Sequence, residues 1–304
     1  MWVGQILQGV LLGGYYALLA CGLSLLFGVL RIINLAHGSL AVLAAYLGWA
    51  LAERWGISPF VGLAAVLPVM ALVGWLLERW VLARALRGGV LVPVLSTFGL
   101  SVVLDNLLFE TFGADAQSLA PNIGDLAFDS WDITDQISIG QLPLLTFVVA
   151  VTLLAGLHLF LQRTPLGRAI RATAEDPDTA ELVGIDSRKV YAMATAMALV
   201  TVGLAGTFWA MRAAVEPYAG SVQLIFAFEA VVIGGAGSLW GTLGGGIVLG
   251  VAQNLGSQIS PQGFLIAGHA VFLLILGARL FLSGHGLRNL VSALPARSTP
   301  ARST

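Results

Sequence analysis

"QILQGVLLGGYYALLACGLSLLFGVL" runs from Gln5 to Leu30 without one charged side chain. A helix crosses the hydrocarbon core of a bilayer with about 20 consecutive apolar residues, and this stretch is long enough. Similar runs recur along the whole chain. Of its 304 residues, 58% are hydrophobic and 10% charged, with a mean hydropathy of +0.89. A soluble domain carries about 25% charged residues, so the composition points to a polytopic, all-α membrane protein. A β-barrel would need short strands of alternating hydrophobicity, which the pattern lacks. The net charge of −1 averages over segments on opposite sides of a membrane; it says little about partners and gives no reason to expect nucleic acid.

Nine segments read as membrane spans: Gln5–Leu30, Ile33–Ala52, Pro59–Leu77, Val90–Phe112, Ile139–Leu161, Val190–Met211, Val222–Ile233, Leu239–Leu255 and Phe264–Leu282. The seventh and eighth are short and interrupted by glycine, so half-helices or a re-entrant pair are expected there, with eight or nine crossings in all. The lone Cys21 lies inside an apolar run and reads as inert packing. "MWVGQILQGV" has no basic leader region, so the first helix is expected to stay in the protein rather than be cleaved.

Arginine and lysine set the orientation. Arg79, Arg84 and Arg87 mark one basic loop. Arg163, Arg168, Arg171, Arg188 and Lys189 mark another, and Arg279, Arg288, Arg297 and Arg302 lie at and beyond the end of the last span. Gly113–Ser138 has no Arg or Lys but holds Asp115, Asp125, Asp129, Asp132 and Asp135. The basic loops are expected in the cytoplasm, the acidic loop (113–138) outside, and the N-terminus outside. Residues 1–288 form one transmembrane domain in this reading. Residues 289–304, with the near-duplicate "ARSTPARST", form a polar and disordered cytoplasmic tail.

"RATAEDPDTAELVGIDSRK" (Arg171–Lys189) breaks the apolar pattern. Asp176-Pro177 is a helix start, with Asp as cap and Pro at the first helical position. Asp178 suits the positive end of the helix dipole, and Gly184 is a natural stop. A helix of about two turns is expected between them. Its Ala180, Leu182 and Val183, followed by Ile185, offer apolar surface beside the charges of Glu175 and Glu181. A solvated loop with a short helix is the plain alternative; the length of the 163–189 connection, unusual between packed helices, argues for a docking handle.

"EDPDTAELVGID" (Glu175–Asp186) resembles the cytoplasmic coupling loop of ATP-binding-cassette importer permeases. "FGVLRIINLAHGSLAVLAAY" (Phe27–Tyr46), "VLSTFGLSVVLDNLLFETFG" (Val94–Gly113) and "VVIGGAGSLWGTLGGGIVLGVAQ" (Val231–Gln253) narrow the resemblance to the LivH-type permeases of branched-chain amino acid importers. The resemblance implies a bacterial inner (plasma) membrane protein that works with a second homologous permease subunit, two ATP-binding subunits and an external solute-binding protein. It implies that Glu175, Asp176, Asp178, Ala180, Glu181, Leu182, Gly184 and Ile185 couple to the ATPases. The chain's only lysine, Lys189, stands between Arg188 and Val190, so no Walker A motif is available. No cofactor is expected in this chain; ATP and Mg belong to the partner subunits.

Candidate path residues come from polar groups within spans, which cost several kcal/mol in lipid and so invite functional readings. Glu229 stands in "LIFAFEAVVIGG", where a substrate ammonium group or Arg212 would suit it. Ser101 and Asp105 are four apart on one helix face, with Ser96, Thr97 and Asn106 near. Asn34 and His37 are read as sharing a face near the cytoplasmic interface, with Ser39 just beyond. The run "GGAGSL", with Gly235, Gly237 and Ser238, reads as a midplane helix break lining the route, or as tight helix packing. "HGSL" (His37–Leu40) and "AGSL" (Ala236–Leu239) hint at an internal repeat. For each polar residue the bland alternative is a contact with a neighbouring helix, and His158 and His269 read that way first.

Catalytic motifs are missing: there is no HExxH, no GxSxG and no histidine pair with metal spacing. The sequence reads as a permease subunit for branched-chain or other small amino acids. Urea, short amides or other small solutes of related permeases are the alternative, and a secondary transporter or channel with Glu229 and Asp105 as ion sites stands further off.

Overall fold

The computed structural model describes residues 2–89, 91–134 and 137–282. Val90, Asp135, His285, Arg288, Arg297, Arg302 and the tail 289–304 lie outside the described residues. The chain opens with α1 (Trp2–Leu30), α2 (His37–Trp55) and α3 (Pro59–Leu77). A π-turn (Glu78–Leu82), a short α4 (Ala83–Ala85) and a 3-10 turn (Leu86–Gly88) prolong α3. After α5 (Leu91–Phe112) come a 3-10 segment (Ala120–Ala127) and two strands, β1 (Ser130–Thr134) and β2 (Ile137–Gly140). The chain continues through α6 (Gln141–Arg163), α7 (Pro165–Glu175), α8 (Pro177–Leu182), α9 (Ser187–Arg212), α10 (Gly220–Gly234), α11 (Leu239–Ser257) and α12 (Gly263–Leu282).

The polytopic helical class holds, with two amendments. The acidic loop contains an antiparallel hairpin pairing Trp131 with Ile139 and Asp132 with Ser138, where the alternation of "SWDIT" and "ISIG" suits half-exposed strands. Among the described residues six helices are long and apolar enough to cross a membrane: α1, α3 with its extension to Gly88, α5, α6, α9 and α12. The α10–α11 pair, bent by 116°, would make seven, below the eight or nine expected. The shortfall lies at α10 and α11, which count as one bent pair, and at α2, which begins at His37 rather than Ile33 and carries Glu53 and Arg54 in its last turn.

Two helices form the centre. α1 is buried over 89% of its apolar window and α9 over 67%, whereas α12 is buried over only 6%. α1 lies along α11 and also meets α6, α9 and α10; α9 lies along α3 and against α2. The α1–α11 seam needs glycine. A Cβ on Gly13 would strike the backbone of Ile247, and one on Gly250 the backbone of Gly9, so the helices approach at backbone distance. The outward faces of α3, α5 and α12 show Leu72, Leu95, Phe98, Leu273 and Leu274, as expected of surfaces bathed in lipid or covered by another subunit.

The bundle repeats itself with inverted direction. α1 runs from the hairpin side, where Gln8 donates to the Ser138 carbonyl (2.9 Å), to the α7 side, where Arg31 donates to the Ala174 carbonyl (3.3 Å). α9 runs the opposite way, from Ser187 beside Pro177 to Ala210, whose carbonyl accepts from Leu119 N–H (2.7 Å). Each long helix is followed by a non-helical break, a short helix (α2 or α10) and then a helix that packs on the other half's long helix. The true counterpart of "HGSL" is therefore "AGSV" (Ala219–Val222), where α10 begins, and not "AGSL" at Ala236–Leu239.

Candidate functional site

The two short helices start against each other in the middle of the bundle. A Cβ on Gly38 would collide with the Gly220 carbonyl, and one on Gly220 would meet Ser39 N. His37 Nε2 lies 2.8 Å from the Leu19 carbonyl, eleven residues and about 16 Å up α1 from Leu30. His37 is fully buried at that depth, which corrects the expectation of a place near the cytoplasmic interface. Asn34 does not share a helix face with it either: residues 31–36 leave the helix and climb from the α7 side to the midplane. Asn34 Oδ1 accepts from Ala36 N–H (3.0 Å), and the Asn34 carbonyl accepts from His37 N–H (3.2 Å). Thr97 Oγ1 of α5 accepts from Leu35 N–H (3.1 Å), so α5 closes over the break and supplies an acceptor that the broken helix leaves wanting.

Asn34, His37, Ser39, Thr97 and Asp105 thus come together. The Ser39 hydroxyl reaches the Asp105 carboxylate across the α2–α5 contact. Asn34 Nδ2, His37 Nδ1 and Asp105 Oδ1 find no partner among the described residues. Ser101 and Asn106 turn their polar ends back onto α5, donating to the Phe98 carbonyl (2.7 Å) and the Val102 carbonyl (2.7 Å). Tyr218, just before α10, donates to Asn106 Oδ1 (3.3 Å). Ser96 is half-buried one residue before Thr97.

Glu229 stands apart from this group. Its carboxylate meets His269 Nδ1 of α12 at 2.5 Å while its Oε2 is unpartnered. Arg212 lies over the Tyr15 ring at 5.4 Å. Of the two partners that would suit Glu229, a substrate ammonium or Arg212, the second makes no ion pair with it among the described residues; His269, expected as plain packing, meets the carboxylate instead. "GGAGSL" is also displaced from the midplane. Gly235 and Gly237 have left-handed backbones at the α10–α11 bend, Gly237 touches Gly28 near the α7 end of α1, and Ser238 caps α11 by accepting from Gly241 N–H (3.1 Å). A loop that reverses direction here needs glycine, and the α7 end of the bundle is where it reverses.

The handle projects from the same end. Thr164 and Pro165 start α7, with the Thr164 hydroxyl accepting from Gly167 N–H (2.9 Å). Glu175 ends it. Asp176 then caps α8: Oδ1 accepts from Asp178 and Thr179 N–H (both 3.1 Å), and Oδ2 from the Thr179 hydroxyl (2.6 Å). These bonds, the Thr179 hydroxyl first, hold the Asp176 carboxyl below the usual carboxylate range. Gly184, at φ +87°, turns the chain. Asp186 restarts it as the cap of α9; the Lys189 N–H and ammonium group hold its carboxyl down as well. Leu182 and Val183 are 87% and 74% exposed. Ala180 and Ile185, expected on the same apolar surface, face inward: Ala180 is buried and Ile185 packs on the core. The short helix turns Ala180 toward α7 and the start of α9, while Asp178, Thr179, Glu181 and the Leu182–Val183 tip stay exposed.

A family described as "Branched-chain amino acid transport system / permease component" matches residues 5–283. The chain belongs to it. Among curated relatives, the permease protein BraD of Pseudomonas aeruginosa is 32% identical over 85% of this chain and 87% of its own length, and is described as part of a high-affinity branched-chain amino acid transport system. LivH of Escherichia coli K12 is 29% identical over 90% of this chain and 92% of its own. A LivH of Methanocaldococcus jannaschii, described as probable, is 30% identical over 93% and 91%. In the permease, the pieces missed from the sequence are the Gly38–Gly220 junction, Tyr218, and Arg31, whose left-handed backbone (φ +56°) and bond to Ala174 tie the midplane break to α7. The signal for the junction was present as "AGSV", but its flanks differ from those of "HGSL".

Proposed function

We propose that the permease carries branched-chain or other small amino acids across a bacterial inner membrane, taking them from an external binding protein. Two separate ATP-binding subunits grip α8 and bring the ATP and Mg, and a second homologous permease subunit completes the path. The observation that carries this reading is the Leu182–Val183 tip, two large apolar side chains held out in water by a helix capped with Asp176. An apolar contact of this kind suits a partner's groove. A chain with no Walker A motif has to borrow its ATPase. Eight or nine crossings follow if α2 and α10 each cross in part, with the N-terminus and the hairpin outside.

The stroke would enter at α8, pass through α7 to Arg31, and tilt the 31–36 break and the Gly38–Gly220 junction. The starts of α2 and α10 place the positive ends of two helix dipoles at mid-membrane, where a substrate carboxylate finds compensation. Asn34 Nδ2 and His37 Nδ1 add unspent polar atoms there. The exposed faces of α5 and the start of α10 would meet the second permease.

The test is uptake of labelled leucine into proteoliposomes holding the permease and its co-encoded subunits, with ATP inside and binding protein outside. Uptake that needs both supports the reading. Uptake by this chain alone under an ion gradient would make it a secondary transporter. ATP hydrolysis without leucine uptake would keep the machine and move the substrate to urea, a short amide or another solute.

A further inference from the structure

Where α3 runs into its π-turn, a cavity of about 790 Å³ opens against the start of α9. Trp75, Arg79, Trp80, Arg84 and Arg87 line it from the α3 side, and Arg188 and Lys189 from the α9 side. Two carboxylates also line it, and both are spoken for: Glu78 is buried and accepts from the Thr195 hydroxyl (3.3 Å), and Asp186 holds Lys189 (3.2 Å). Among the described residues no carboxylate pairs with Arg79, Arg84, Arg87 or Arg188. Arg79 lies over the Trp75 ring at 5.3 Å, and Arg84 donates to the Trp80 carbonyl (2.6 Å). The π-turn, which a regular helix would lack, re-aims these side chains into one concavity.

The cavity sits at the end of an apolar span, and that location decides its ligand. Val69, Leu72 and Trp75 form an exposed apolar stripe on α3 leading into the cavity. Tryptophan favours the membrane interface, arginine forks match phosphate oxygens, and basic pockets between helices on the cytoplasmic side suit anionic head groups. We propose that this cavity binds the phosphate head group of an anionic phospholipid of the cytoplasmic leaflet, its acyl chains lying along the Val69–Leu72 stripe. Its cytoplasmic placement rests on the orientation given above; its lipid binding does not depend on which solute is carried. Bound there, the lipid would brace Arg188 and Lys189, in the first turn of α9, against α3.

Native mass spectrometry of the purified full-length permease, titrated with phosphatidylglycerol or phosphatidylcholine of the same acyl chains, tests this. Retention of phosphatidylglycerol at least about fivefold above phosphatidylcholine is expected, falling to the phosphatidylcholine level in Arg84→Gln/Arg87→Gln/Arg188→Gln. The control Arg163→Gln/Arg168→Gln, which changes charge on the same side but outside the cavity, should keep the preference. Equal retention of the two lipids by the unaltered chain, or equal loss in the control, overturns the proposal. So does displacement of the lipid by excess inorganic phosphate, which would mark a soluble-phosphate site, or by added ATPase subunits, which would mark a protein contact. A readout free of charge variants is quenching by brominated phosphatidylglycerol: quenching that drops in Trp80→Phe supports the site, and unchanged quenching contradicts it.

Discussion

The midplane junction and the α8 handle are both built from a glycine and a helix start, yet they work under opposite rules. At the junction Gly38 and Gly220 leave no room for a Cβ, and unpaired polar atoms are sealed from solvent. At the handle a Cβ on Gly184 would meet nothing within 4 Å, and the polar caps face water. Glycine serves close approach in one place and backbone handedness in the other. The fold is tight at the junction and open at the handle.

The largest effect should come from Gly38→Val. It drives a side chain into the Gly220 backbone, and overpacking of this sort costs about 1–3 kcal/mol or more. Uptake is expected to vanish and the melting temperature of the purified permease to fall by several degrees; normal uptake would mean that the junction opens easily. Leu182→Asp should reduce ATPase capture at least about tenfold, as losing an interface anchor does, while leaving the melting temperature unchanged. A fall in both would show that the tip belongs to the fold and not to a partner.

Gly184→Val sharpens the contrast, because space is free and only φ is wrong. The strain is about 1–2 kcal/mol, read as faster proteolysis between Val183 and Asp186 with an intact core. Acid should loosen the handle. Asp176 and Asp186 bind protons more weakly folded than unfolded, so their caps stabilise the chain above the unfolded value of about 4 and lose that effect as pH falls through the lower folded value. Proteolysis at α8 should therefore rise below about pH 4, and Asp176→Asn should flatten that response. The smallest effect is expected from Glu229→Gln, which keeps a hydrogen bond to His269; the KM for leucine should stay within twofold. A tenfold rise would make Glu229 a substrate ligand.

The polytopic helical class was legible because composition sets it; the number of crossings was not, since α2 and the α10–α11 pair fall short of whole spans. The α8 helix was legible because Asp-Pro and Gly act locally, within a few residues. What stayed hidden depends on partners distant in the chain. Ile185 turned inward onto the core, His37 was misplaced because it reaches the Leu19 carbonyl on α1 across a break that no proline or glycine announces, and Glu229 met His269 forty positions away. "GGAGSL" looked like a midplane break, although glycine density marks a reversal at a surface equally well.

The burial of α1 bears on how the protein is made. Its seam partner α11 is synthesised much later; the Tyr16–Gln253 bond joins residues 237 positions apart. Until α11 arrives, α1 stands in the lipid with its glycine stripe bare, the kind of long-separated contact that slows folding. Assembly is therefore a late event, and the nascent chain has good use for a chaperone or insertase that shelters its first helix until the last ones are in place.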